Sequence, residues 1–262
     1  MTSTTLRRSE IAGLAITETG TGRPMLLLHG VGLRSEAWQH QFDALAGCGH
    51  VIAPDMPGHG LSPCPAGDMT LADYTGAIRR VLEELPGRAL VIGHSMGAMI
   101  ALSLASVVPE KVCAVAALNA VFERSAGAAQ AVQARAAGLD GKTVPDPAAT
   151  LHRWFGDDPS PERSACRRWL QEVDPAGYKK AYTAFALADA PTRASLAAIK
   201  SPARFITGAL EPNSTPDMSR AMAGLTPCGQ AIIVEGAAHM LPLTHPEVVN
   251  AALRELAQEA PA

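Results

Sequence analysis

Ala89-Leu90-Val91-Ile92-Gly93-His94-Ser95-Met96-Gly97 is the stretch on which the reading of this chain turns. Four apolar residues in a row suit a strand buried on both faces, and Met96 to Val107 then shows helical spacing. Between them lies a G-x-S-x-G. A strand that reverses into a helix within so few residues forces the serine into a strained backbone conformation, and side chains two positions to either side would collide. The glycines remove them. Ser95 is thereby presented at a helix N-terminus, where free N–H groups and the helix dipole favour developing negative charge. Ala89 to Val108 is also about as long as a membrane span, but Gly93-His94-Ser95 and Gly97 divide it into two short buried elements.

The same rhythm extends in both directions. Met25 to Leu28, Val51 to Ala53 and Val112 to Leu118 are short, nearly continuous apolar runs expected to be parallel strands. Ser35 to Leu45 and Leu71 to Leu85 read as helices, with Ser35 and Thr70 as N-caps and Asp73 completing a capping box after Thr70. A βαβαβαβ order implies right-handed crossovers and an open parallel sheet. Near the C-terminus the pattern resumes, with strands at Ala203 to Thr207 and Ala231 to Val234 and helices at Thr215 to Leu225 and Pro246 to Glu259. Residues 121–199 differ: they are alanine-rich, punctuated by prolines and free of any clear strand, and read as several short helices.

At 262 residues the chain falls between one large domain and two small ones. The expected division is an α/β core from 1–120 and 200–262, with 121–199 as an inserted helical cap. A formal charge of -3 and the lack of any basic run beyond pairs exclude an electrostatic footprint for nucleic acid. The five cysteines are odd in number and never form C-x-x-C, which argues against a disulfide framework or a structural zinc and for a reducing compartment. Met1 to Ile11 holds no apolar run suited to a signal peptide. The expectation is a cytoplasmic protein, monomeric or homodimeric, without membrane, metal or cofactor. No H-E-x-x-H, Walker loop or EF-hand pattern occurs, and Gly58-His59-Gly60 lacks the third glycine of a dinucleotide fingerprint.

Several motifs in order make the chain resemble the α/β-hydrolase superfamily over nearly its whole length outside 121–199. Leu27-Leu28-His29-Gly30-Val31-Gly32 is similar to the family's strand and oxyanion loop, and Asp55-Met56-Pro57-Gly58-His59-Gly60-Leu61-Ser62 to its D-x-P-G-x-G-x-S loop. The elbow at Ser95 follows, then Gly208-Ala209-Leu210-Glu211, then Gly236-Ala237-Ala238-His239. The resemblance implies an α/β-hydrolase fold, a mostly parallel central sheet flanked by helices with the cap inserted, and a Ser, acid, His triad of Ser95, Glu211 and His239. It also implies that the Val31 and Met96 N–H groups form an oxyanion hole. Glutamate stands where the family more often shows aspartate, an accepted variant. His245, just before Pro246, reads as a residue leading into the last helix, and His29, His59 and His94 as loop-packing residues. Serine where haloalkane dehalogenases and epoxide hydrolases carry aspartate disfavours those activities.

Leu151-His152-Arg153-Trp154-Phe155 further resembles hydrolases similar to 3-oxoadipate enol-lactonase. That likeness implies Trp154 and Phe155 as pocket walls and Arg153 or Arg34 as an anchor for a substrate carboxylate. Basic and acidic residues nearly balance across 121–199, so bulk charge does not itself call for an anionic substrate. The expected function is cleavage of a small carboxylic ester or lactone through an acyl-enzyme. Rivals on the same triad are amide or carbon–carbon bond hydrolysis and a cofactor-free haloperoxidase or perhydrolase. A hydrolase-fold ligand receptor is the non-enzymatic alternative.

Overall fold

The computed structural model describes residues 5–188 and 190–261. Residues 1–4, part of the stretch tested for a signal peptide, lie outside it. Strands β1 (Arg7–Ile11), β2 (Leu14–Thr19), β3 (Pro24–Leu28), β4 (His50–Pro54), β5 (Ala89–His94), β6 (Val112–Leu118), β7 (Ala203–Gly208) and β8 (Gly229–Val234) form one sheet in the order β1-β2-β4-β3-β5-β6-β7-β8. The β1/β2 and β2/β4 pairs are antiparallel and all others parallel.

Helices α1 (Gln39–Leu45), α2 (Leu71–Glu84), α3 (Met96–Val107), α4 (Ala126–Ala137), α5 (Ala148–Phe155), α6 (Pro161–Glu172), α7 (Pro175–Leu187), α8 (Arg193–Ala198), α9 (Pro216–Leu225), α10 (Leu241–Thr244) and α11 (Pro246–Glu259) follow in chain order. Strand alternation explains the two-sided core. Leu26, Leu28 and Val91 join α2, α3, α8 and α9 on one face, while Met25, Leu27, Leu90 and Ile92 meet α1 and α11 on the other. A third cluster unites Leu33 and Ala37 with Leu151, Trp169, Leu170 and Tyr178, which seats α5, α6 and α7 over the C-terminal edge of the sheet.

Thr70 caps α2 in a full capping box with Asp73. Ser35 does not cap its helix. A 3-10 turn, Ser35–Trp38, precedes α1, and the Ser35 N–H donates to Asp55 Oδ1 at 2.8 Å while its hydroxyl pairs with Thr17 Oγ1. The hydroxyl is thus engaged with β2 and not with N–H groups of its own turn, while Asp55 ties that turn to the next loop by also taking Leu61 N–H on Oδ2. The β1/β2 hairpin has no counterpart among the expected strands. Its first strand is exposed and polar, so no apolar alternation marks it, and it turns through Ala12-Gly13 with both φ positive.

Candidate active site

Ser95 sits between β5 and α3 with φ 57° and ψ −119°, a conformation that costs a residue with a Cβ about 1–3 kcal/mol. The surrounding structure compels it. The Ser95 N–H donates to Leu118 O on neighbouring β6 at 2.9 Å, and a Cβ on Gly97 would fall on the Leu28 carbonyl. Packing of β3 against the first turn of α3 therefore requires glycine there.

His239 lies on the loop after β8. Its Nδ1–H donates to Glu211 Oε2 at 2.7 Å, which leaves Nε2 for the cavity that Ser95 also lines. Serine and imidazole face the same cavity, and no hydrogen bond joins them directly. Glu211, between β7 and α9, is buried. Burial alone would raise its pKa, but the His239 charge, the His239 hydrogen bond and the N–H groups of Asn213 and Ser214 outweigh that and hold it at about 2.

Three further imidazoles fix the loops. His29 donates from Nδ1 to Gly30 O and accepts the Met56 N–H on Nε2; His59 donates to Pro57 O and accepts the Gly32 N–H. His94 donates from Nε2 to His239 O at 2.8 Å. Burial pushes all three pKa values down, those of His59 and His94 to about 3, so these rings are neutral struts. They position Gly30-Val31-Gly32 beside Ser95. A Cβ on Gly30 would come within 3.1 Å of Ser95 Cβ, and the N–H groups of Val31 and Met96 have no acceptor among the described residues.

A cavity of about 100 Å³ is lined by Ser95, His239, Val31 and Trp154 together with three arginines. Trp154 stacks on His239 with ring centroids 5.4 Å apart and planes 22° apart. Arg153 lines the cavity and donates to Thr150 Oγ1. Arg34 does not line it, because its guanidinium is bound to Glu172 and Glu36. Phe155 does not line it and instead borders an outer depression together with Trp154 and Arg153.

Arg124 and Arg135, not singled out in the sequence, also line the cavity. Arg124 lies over the Phe185 ring at 4.4 Å and donates to the Phe185 carbonyl, and Arg135 donates to Tyr182 Oη at 3.0 Å. Among the described residues none of Arg124, Arg135 and Arg153 has a carboxylate partner, and no aspartate or glutamate lines the cavity. No sequence pattern marks this cluster, since the three arginines come from the β6–α4 loop, α4 and α5 and converge only in the fold.

Residues 25–252 match the Alpha/beta hydrolase family. The chain belongs to that family. It is 37% identical, over 100% of both chains, to the (E)-2-((N-methylformamido)methylene)succinate hydrolase of Acinetobacter baylyi. Among solved structures it is similar to a thermophilic esterase from Thermogutta terrifontis, with a TM-score of 0.84, 24% identity, and coverage of 96% of this chain and 98% of that one. It is likewise similar to the enol-lactonase of Burkholderia xenovorans, with a TM-score of 0.83, 24% identity, and coverage of 97% and 100%. At that identity the two structures speak for the fold alone. The expected α/β-hydrolase architecture is borne out, and no helix among the described residues is long and apolar enough to cross a membrane.

Proposed function

We propose that this α/β hydrolase is a serine hydrolase acting on a small acyl compound with two carboxylates, in which Ser95, His239 and Glu211 form the triad. The observation that carries this reading is the convergence on one small cavity of the left-handed Ser95, the Glu211-bound His239 and three arginines that have no carboxylate partner among the described residues. The full-length relative is named for a substrate with a formamide and a succinate, and a succinate brings two carboxylates. That chemistry moves the expected scissile bond from an ester or lactone to an amide on a methylene-succinate frame.

His239 Nε2 takes the Ser95 proton as Oγ bonds to the acyl carbon. The oxyanion receives the Val31 and Met96 N–H groups, each such donor contributing about 3 kcal/mol in the transition state. As the carbon–nitrogen bond breaks, the imidazolium returns its proton to the leaving nitrogen. Water then attacks the acyl-enzyme and gives a proton to His239, and as the acyl carbon–Oγ bond breaks the imidazolium passes that proton to Ser95 Oγ, which frees the carboxylic acid. Arg124, Arg135 and Arg153 hold the carboxylates. The proposed division of labour leaves the chemistry to the core at 1–120 and 200–262 and gives the cap at 121–199 the substrate.

Fluorophosphonate labelling and hydrolysis of (E)-2-((N-methylformamido)methylene)succinate test the reading. Wild type should label and turn over the substrate, and Ser95→Ala should lose labelling and on the order of 10⁴ in kcat. Retained turnover in Ser95→Ala would overturn the serine mechanism. Faster hydrolysis of neutral p-nitrophenyl esters or lactones than of the dicarboxylate would overturn the substrate class.

A further inference from the structure

We propose that Asn119 is a positioning residue for the acid and base of this site, a fourth member that fixes Glu211 and the His239 loop to each other. This rests on the role given above to Ser95, His239 and Glu211. Asn119 follows β6 and is wholly buried. Its Nδ2 faces three acceptors: Glu211 Oε2 at 3.2 Å, His239 O at 2.9 Å and Ala238 O at 3.4 Å. Facing three acceptors, the side-chain amide must present its nitrogen, whose two protons are shared among them, and not its oxygen.

Its bond to Glu211 goes to the oxygen that also accepts His239 Nδ1–H, whereas the Asn213 and Ser214 N–H groups occupy Oε1. Each carboxylate oxygen therefore has two donors. His239 is held twice as well, through its Nδ1–H by Glu211 and through its carbonyl by Asn119 and His94.

The backbone supports the same assignment. Asn119 has φ +51°, left-handed like Ser95, and its N–H donates to Ile206 O on β7 at 2.8 Å. Asparagine is among the few residues that tolerate this conformation without glycine's freedom. The turn sends the amide back over the sheet edge toward the two loops after β7 and β8 that carry acid and base. Asn119 Oδ1 is buried without a partner among the described residues, so half of the amide is unsatisfied for the sake of the nitrogen's three contacts.

Loss of one hydrogen bond to a charged group predicts a roughly ten- to hundredfold fall in kcat for Asn119→Ala, with KM within about threefold of wild type. Asn119→Asp keeps the shape, removes both donors and sets a second carboxylate against Glu211. The titratable groups around it are Glu211, His239 and His94, and two adjoining carboxylates should share a proton, moving the pH dependence of kcat/KM. His239 is followed in parallel by NMR in Ser95→Ala backgrounds with and without each Asn119 substitution, where no turnover is needed. A changed imidazole titration with a fallen kcat supports the assignment. An unchanged titration, or a change in KM alone with kcat and pH profile within about twofold of wild type, overturns it. Asn119→Ser, smaller and still polar, replaces Asn119→Ala if that variant does not fold. Failure of wild type to label with fluorophosphonate would instead strike the serine mechanism, leaving the NMR outcome to stand by itself.

Discussion

Glu211 Oε2 receives the Nδ1–H of His239 at 2.7 Å, and this pair joins two loops that leave neighbouring parallel strands, β7 and β8. The bond selects the tautomer. With Nδ1 committed to a buried carboxylate, Nε2 carries the lone pair turned toward the cavity of Ser95.

Glu211→Gln should therefore lower kcat by on the order of 10³–10⁴ with little change in KM. The amide preserves size but can donate to Nδ1 and favour the opposite tautomer. Steady-state kinetics on the proposed dicarboxylate substrate check this, and a loss under about tenfold would remove Glu211 from the mechanism.

Arg124→Ala, Arg135→Ala and Arg153→Ala should each raise KM for the dicarboxylate roughly ten- to hundredfold, the cost of one charge-assisted bond to a carboxylate. Turnover of a neutral activated ester should stay within about threefold of wild type. Arg34→Ala, whose guanidinium is bound to Glu172 and Glu36 outside the cavity, should leave KM for both unchanged. Competition by succinate, read as Ki in each variant, gives the same ranking without chemistry.

How far the sequence carried these conclusions depended on whether the determining forces were local. The elbow at Ser95 and the glycines beside it are dictated by a turn of five residues, so sequence alone placed the strand, the turn and α3. The substrate end was different. Basic and acidic residues nearly balance over 121–199, yet Glu123 pairs with Arg193, Glu172 with Arg34 and Asp157 with His152, while Asp140 and Asp174 accept from backbone N–H groups. Those acids are spent outside the cavity, and three arginines are left facing it. Charge was segregated by tertiary packing, which composition does not record. Asn119 carries no sequence signal of its contacts for the same reason, since they are three acceptors contributed by two loops much later in the chain.

Trp154 covers His239 face to face, so the imidazolium formed in the proposed reaction would lie against the indole π-face at 5.4 Å, inside the range of a cation–π contact. Trp154→Leu should lower kcat by roughly three- to thirtyfold, and Trp154→Phe, which keeps an aromatic face, by less. The contact also has an optical signature. Protonation of His239 should quench Trp154 emission, read as the difference between wild type and Trp154→Phe, and His239→Gln should abolish that titration. Equal kcat in the Leu and Phe variants would reduce Trp154 to a cavity wall.

The buried struts set a pH limit on the fold. Burial, with a smaller contribution from a neighbouring imidazole, pushes His59 and His94 down to about 3, whereas an unfolded histidine titrates near 6.5. Between those values the unfolded chain binds protons that the folded chain refuses, so stability rises with pH there. The contribution is complete above about pH 6.5 and is lost as pH falls toward 3, at about 1.4 kcal/mol per pH unit for each fully mismatched histidine. Urea midpoints measured from pH 7 to pH 4 should fall steadily. His59→Asn retains a group able to accept the Gly32 N–H but not to titrate, so its slope should be shallower than that of wild type by about one proton. A parallel slope in that variant would show that His59 is protonated in the fold, contrary to a neutral ring whose Nε2 accepts the Gly32 N–H.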